Sequence, residues 1–250
     1  MAKRAPQTTE NPKTTLFLRA SKCSEIVQLT LRDLYALKRP LAIRFTKKNA
    51  VHPFEDASSF EFFSAKNDAS LLVFGSHSKK RPHALTFVRT FDAKVLDMVE
   101  LLVDPDTLRS LSQFKLERKA AVGLKPLVCF AGAKFDSPTA TPYTLARSVL
   151  LDLLKGPDVG SVDVEGLQYM VCVSAGEEDD ARIKVRYYML RTKRSGGRLP
   201  TVEVEEMGPR IDFRLGRVQH ADDTMMKDAM RRPRGIEVSH AVLPLEHGDR

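Results

Sequence analysis

The sequence predicts an α/β fold made of two similar halves, and three observations carry that expectation. Apolar residues recur at helical spacing in some segments, and in others they run continuously or alternate with polar ones. The order helix, strand, polar loop, strand occurs twice, with Leu71 and Leu167 at corresponding places 96 residues apart. At 42% hydrophobic and 29% charged over 250 residues, the composition is that of a globular chain able to fill a core in two linked halves. Residue identity between the halves is slight, so the expected duplication is one of structure.

Residues 1–15 are polar, carry prolines and lack any period, which predicts a disordered arm. Ser24 can cap a helix through Ala36, with Ile26, Leu29, Leu34 and Leu37 at helical spacing and Lys38-Arg39-Pro40 ending it. Leu41 to Phe45 reads as a short strand. Phe54 to Lys66 reads as a helix, with Glu55-Asp56 in its first turn and Phe60, Phe62 and Phe63 along it. Ser70 to Gly75 and Ala84 to Phe91 are strands joined by the basic loop Ser76 to His83. A helix is expected from Asp92 to Leu102, and another after Asp104-Pro105 with Leu108, Leu111 and Phe114 facing inward.

The second half begins with a strand at Pro126 to Phe130, after a basic linker from Lys115 to Lys125. Thr141 is a favourable N-cap and Pro142 suits the first helical position. The stripe Leu145, Val149, Leu150, Leu153 and Leu154 then runs to Gly156-Pro157. Strands follow at Leu167 to Ser174 and Ala181 to Leu190 around the acidic turn Glu177 to Asp180, then at Thr201 to Glu206 and Arg210 to Leu215. Asp222 to Met230 is a short Met-rich segment.

Lys and Arg number 40 against 32 Asp and Glu, a formal charge of +8 that favours an anionic partner. No h-region opens the chain and no uncharged run nears the roughly 18 residues of a membrane span, so a soluble intracellular protein is expected. The three cysteines, Cys23, Cys129 and Cys172, are far apart and suit a reducing compartment, without a disulfide framework or zinc knuckle.

The basic residues fall in acid-free runs. From Arg182 to Arg198 there are seven and no acid, with Arg182, Lys184, Arg186 and Tyr188 alternating against Ile183, Val185, Tyr187 and Met189. That face is either solvated or meets phosphate. Arg210, Asp212 and Arg214 alternate likewise against Ile211, Phe213 and Leu215, with Arg217 just beyond. If these strands share a sheet, their arginines form one stripe, and the planar guanidinium suits phosphate. Lys38, Arg39, Arg44, Lys47 and Lys48 make another run, and Lys79-Lys80-Arg81-Pro82 a third. The latter reads as an exposed turn, a nuclear import signal or an RNA contact.

Enzyme signatures are lacking. The six histidines sit in expected loops or the tail, with no HExxH, no zinc-spaced Cys pairs and no Gly-x-Ser-x-Gly. No glycine fingerprint follows a strand, so no cofactor is expected. A metal-dependent RNA-processing enzyme with carboxylates from separate strands is the competing class. Its densest acids, Glu177 to Asp180, sit at a hairpin tip where solvation explains them.

Several blocks in order resemble the Brix-domain ribosome assembly factors: Leu37-Lys38-Arg39-Pro40, Phe45 to Asn49, His52 to Asp56, Ser76 to Pro82 and Glu206-Met207-Gly208-Pro209-Arg210. The resemblance runs from about Leu16 to Arg232. It implies a Brix domain over 16–232, of two pseudo-symmetric halves at about 16–118 and 125–220 with a closing segment at 222–232. Each half would be a small mixed sheet packed with helices, like an anticodon-binding domain.

It also implies a nucleolar, non-enzymatic role. Together with a partner, the regulator of ribosome synthesis, such a protein would bind 5S ribosomal RNA. The pair would bring that RNA and the ribosomal proteins L-five and L-eleven into the large-subunit precursor, supporting processing of pre-ribosomal RNA. Motif and basic periodicity together make Arg210 and Arg214 the first candidates for RNA contact. Lys79, Lys80, Arg81, Lys47 and Lys48 come next, then Arg182, Lys184 and Arg186. Arg210 has a second reading, as a structural arginine capping the turn after Gly208-Pro209. Family members carry a Lys-rich C-terminal extension, whereas Gly235 to Arg250 holds three acids and one base, so residues 233–250 are expected to be a flexible, divergent tail.

Overall fold

A computed structural model describes residues 13–116, 120–156, 161–163, 166–193 and 201–231. Five strands come early in the chain, β1 (Thr15–Ala20), β2 (Ala42–Asn49), β3 (Leu71–Ser76), β4 (Ala84–Phe91) and β5 (Lys94–Val103). Five come later, β6 (Leu127–Ala131), β7 (Tyr169–Ala175), β8 (Ile183–Lys193), β9 (Thr201–Glu206) and β10 (Ile211–Gln219). The helices are α1 (Glu25–Lys38), α2 (Ser58–Asn67), α3 (Pro142–Leu154) and α4 (Asp223–Ala229). Most of the expected arm lies outside the described residues, but its last residue, Thr15, is buried and starts β1.

All ten strands form one sheet in the order β2-β1-β3-β4-β5-β10-β8-β7-β6, with β9 also paired to β8. The order is a palindrome about its centre. Outward from the antiparallel β5–β10 pair, β4 answers β8, β3 answers β7 and β1 answers β6. The parallel steps match too, β1 with β3 and β6 with β7. The two expected small sheets are thus joined edge to edge, with Val103 opposite Phe213 and Leu101 opposite Leu215.

One face of the sheet is covered by α1 and α3, whose Val27, Leu31, Leu34, Leu145, Val149 and Leu153 share a cluster with Phe17, Val73, Phe87, Val185 and Phe213. The counterpart of α3 is therefore α1, not the α2 segment that precedes the first strand pair in sequence. α2 lies on the opposite face, where Phe60 packs among Leu16, Leu18, Leu72, Phe74, Val88 and Met98. β3 and β4 are covered on both faces, which is why β3 is apolar at successive positions.

Caps set the two long helices. The Ser24 side chain accepts from the Val27 amide, and the Thr141 hydroxyl accepts from the Thr144 amide while Thr144 Oγ1 accepts from Thr141 N. The buried stripe of α1 is Val27, Leu31 and Leu34, displaced from the expected one because Ile26 and Leu29 are only half-buried. α2 begins at Ser58, four residues later than expected.

The expected helix from Asp92 is instead the strand β5. Asp92 and Ala93 adopt φ of 48° and 60°, making a two-residue hairpin turn after β4 without the usual glycine. Both faces of β5 are then buried, and Asp97 and Glu100 are buried with them. The second expected helix is a single 3₁₀ turn, Leu111–Gln113, with Leu108 and Phe114 packed inward.

Two basic side chains tie the early strands and helices to α3. Arg89 of β4 donates bidentately to Asp97 and reaches Ser148 Oγ at 2.7 Å and Asp152 Oδ2 at 3.0 Å. Lys38, part of an expected surface run, is buried and donates to the carbonyls of Asp152 (3.2 Å) and Leu153 (2.8 Å) at the end of α3. Those carbonyls have no intrahelical partner and welcome a cation. Burial draws the Lys38 amine down to about 8, against the pull of Asp152.

The face opposite α3 is bare among the described residues. Leu127, Val202 and Val204 are 47%, 58% and 57% exposed there, beside the half-buried Met170, Tyr188 and Leu190. α4 buries none of its own residues: Met225 and Met226 are half-buried and Met230 is exposed.

Candidate nucleic-acid interface

The parallel strands β1, β2 and β3 end together, and their following loops gather at one end of the sheet. In open α/β sheets this end is where ligands sit. The β3–β4 loop is pinched by a turn in which Ser78 N donates to Arg81 O (3.1 Å) and Arg81 N to Ser78 O (3.2 Å). Lys79 and Lys80 are thereby held at its tip, both exposed. Arg81 turns back, donating from Nη1 to Glu100 Oε2 at 2.7 Å.

The start of β8 and of β10 lies at the same end, because Ile183 pairs with Phe213 and Phe213 with Val103. A cavity of about 310 Å³ opens there, lined by Lys80, Arg81, Arg182 and Arg214 together with Pro82, Asp104 and Pro105. Four sequence-derived candidates from distant segments are thus brought together. Arg182 pairs with Asp104, and Arg214 lies 3.9 Å from Asp180 of the acidic hairpin tip while staying 59% exposed. The Arg214–Asp180 pair, open to solvent on both sides, contributes little and leaves Arg214 available to another anion.

β8 and β10 are adjacent and antiparallel, so the expected arginine stripe exists: Lys184 opposes Asp212, beside Arg186, Arg210 and Arg214 on the face away from α3. Its members differ in freedom. Lys184 is exposed. Arg186 Nη1 sits 2.6 Å from Asp212 Oδ1 and donates to the carbonyls of Val185 and Ile211, which fixes it to the sheet. Arg210 forks onto Glu206, its Nε 2.9 Å from Oε1. That hydrogen bond holds the Glu206 carboxyl below its ordinary range and the Arg210 guanidinium above its own.

The Gly-Pro-Arg segment itself is packed. Gly208 has φ of 73°, and any Cβ there would fall 2.2 Å from the Phe114 ring, over which Arg109 also stacks at 4.8 Å. Arg109 and Arg210 exchange backbone hydrogen bonds of 3.0 and 2.9 Å. Lys47 and Lys48 are exposed on β2, which forms one edge of the sheet, and run toward the same end. Arg194 and Arg198 lie outside the described residues.

Sequence reasoning passed over Lys22, Phe54 and Glu100 and set Arg217 just beyond the arginine stripe, whereas the four meet beside the β3–β4 loop in a second cavity. The one legible signal was the break in alternation after Leu215, where a register shift between Leu215 and Val218 turns Arg217 toward Glu100.

The sequence matches the Brix domain over residues 20–217. The chain belongs to the Brix family. Among curated Brix-family relatives, the ribosome production factor 2 homolog of Chaetomium thermophilum is 50% identical over 260 residues, covering 93% of this chain and 74% of that protein. The ribosome biogenesis protein RPF2 of Saccharomyces cerevisiae is 40% identical, covering 95% and 70%. The human ribosome production factor 2 homolog is 39% identical, covering 99% and 80%. A solved structure of a probable ribosomal biogenesis protein from Aeropyrum pernix aligns at 14% identity with a TM-score of 0.42, covering 81% of this chain and 94% of the other.

Proposed function

We propose that this Brix-family chain is a ribosome biogenesis factor that works by scaffolding RNA and protein in the nucleolus. With the regulator of ribosome synthesis as partner, it binds 5S ribosomal RNA. Together they bring that RNA, with L-five and L-eleven, into the large-subunit precursor and so support processing of pre-ribosomal RNA. The observation that carries this reading is the convergence of Lys80, Arg81, Arg182 and Arg214 on one cavity at the loop end of the sheet. Cations from separated segments that meet on one surface are the footprint of a polyanion site. Relatives named as ribosome production factors supply the context.

The bare face around Leu127, Val202 and Val204 is the surface the protein partner covers in this reading. Lys184 and Arg214, on the same side of the sheet, extend the basic surface toward it.

Gel-shift titration of the partner complex with 5S ribosomal RNA tests the assignment. Joint Lys79→Ala and Lys80→Ala substitution removes two tip charges. If both meet duplex phosphates, the slope of log affinity against log salt should flatten by about 1.8. An unchanged slope and affinity in a folded double variant would remove the loop from the interface. Arg210→Ala is a separate arm: normal folding with unaltered affinity would leave Arg210 only its ion pair with Glu206.

A further inference from the structure

The cavity beside the β3–β4 loop measures about 510 Å³ and lies within the roughly 300–1,000 Å³ range of small-molecule sites. Its walls are the β2–α2 loop, from Asn49 to Glu55, and the β3–β4 loop, with Phe74, Thr86 and Glu100 of the sheet behind. Glu100 is 1% exposed and binds two arginines at once: Arg81 Nη1 at 2.7 Å and Arg217 Nη2 at 2.9 Å. Gly216 makes room for this carboxylate, since a Cβ there would lie 2.8 Å from Glu100 Oε2. Arg217, so held, stacks on the Phe54 ring at 4.1 Å.

With the guanidinium seated over one side of the ring, the outer sides of the pair are left as flat surfaces of the kind on which nucleobases stack. Lys22 and Lys80 at the same cavity supply charge for a phosphate, and Glu100 is neutralised by its two arginines. This cavity and the one lined by Arg182 and Arg214 share Lys80 and Arg81, so a strand crossing the loop passes both mouths.

We propose that this cavity takes a single unstacked nucleotide of a bound RNA, its base against Phe54 and Arg217 and its phosphate toward Lys22 and Lys80. The proposal rests on the RNA-binding reading above and adds to it a preference for unpaired RNA.

The chain contains no tryptophan, so Phe54→Trp introduces a lone indole reporter at the cavity while keeping an aromatic ring. The full chain carrying this change is titrated with fluorescein-labelled oligoadenylate of eight nucleotides and with a perfectly paired RNA duplex of eight base pairs. Label anisotropy reads total binding and indole emission reads occupancy of the cavity. Quenching by the single strand and not by the duplex is expected. Phe54→Ala in a second protein should lower the ratio of single-strand to duplex affinity about tenfold. Binding of both RNAs without quenching, and without a change in that ratio, overturns the cavity assignment and leaves the wider interface standing. Failure of either RNA, and of 5S ribosomal RNA, to bind overturns the RNA reading and this inference with it.

Discussion

Replacing Arg89 with methionine should be among the most damaging single changes to this fold. Its guanidinium is 12% exposed and Asp97 is 0% exposed, so the substitution strands a carboxylate in the sheet with no cation beside it. Breaking a buried pair from one side costs about 3–5 kcal/mol, because the remaining charge keeps its desolvation penalty. Asp152 and Ser148 of α3 lose the same partner, loosening a helix from the sheet. For a chain of this length each kcal/mol lowers the melting temperature by about 2–4 °C, so a fall of roughly 6–20 °C is expected. Lys193→Met is the control, since its pair with Glu203 is 62% and 50% exposed and should be worth less than about 1 kcal/mol. Urea unfolding followed by circular dichroism, with equal slopes, gives both differences. Joint Arg89→Met and Asp97→Leu should recover much of the loss by removing the orphaned charge. If Arg89→Met costs no more than Lys193→Met, the pair does not hold the sheet to α3.

Two further outcomes follow from the same chemistry. Folded Lys38 loses its proton near pH 8, while unfolded it holds it to its ordinary 10.5. In that window the unfolded chain binds more protons, so this group's contribution to stability rises with pH. The urea midpoint of the unmodified chain minus that of Lys38→Met should therefore climb from pH 7.5 to 9.5, and a flat or falling difference would refute the assignment. Thr141→Ala removes the reciprocal cap of α3 and should cost about 1 kcal/mol, or about 2–4 °C by calorimetry; no change would mean the cap is redundant.

What the sequence made legible is what short-range chemistry determines. The Ser24 and Thr141 caps, Pro142 and the apolar stripe of α3 were all readable locally, and β4 has the expected bounds. β5 was misread because its apolar residues at 95, 96, 98, 99, 101, 102 and 103 satisfy helical spacing as well as a strand buried on both faces. Asp97 and Glu100 interrupt that apolar run, and it is Arg89, Arg81 and Arg217 that explain their burial. The tip lysines of the β3–β4 loop could be found by composition. The Phe54, Glu100 and Arg217 cluster could not, since it depends on a bulge in β10 and on partners 117 residues apart.

The pairing of β5 with β10 bears on how the chain comes off the ribosome. Strands β1 to β5 are complete by Val103, yet the edge of β5 stays unpaired until residues 213–219 have been synthesised. Until then an apolar strand exposes its amides and carbonyls to any passing edge. Folding of the last third is also slowed by the loop that must close before that pairing can form. The interval between these two syntheses is therefore the nascent chain's period of greatest risk of misassociation, and a chain interrupted before β10 would carry that open edge permanently.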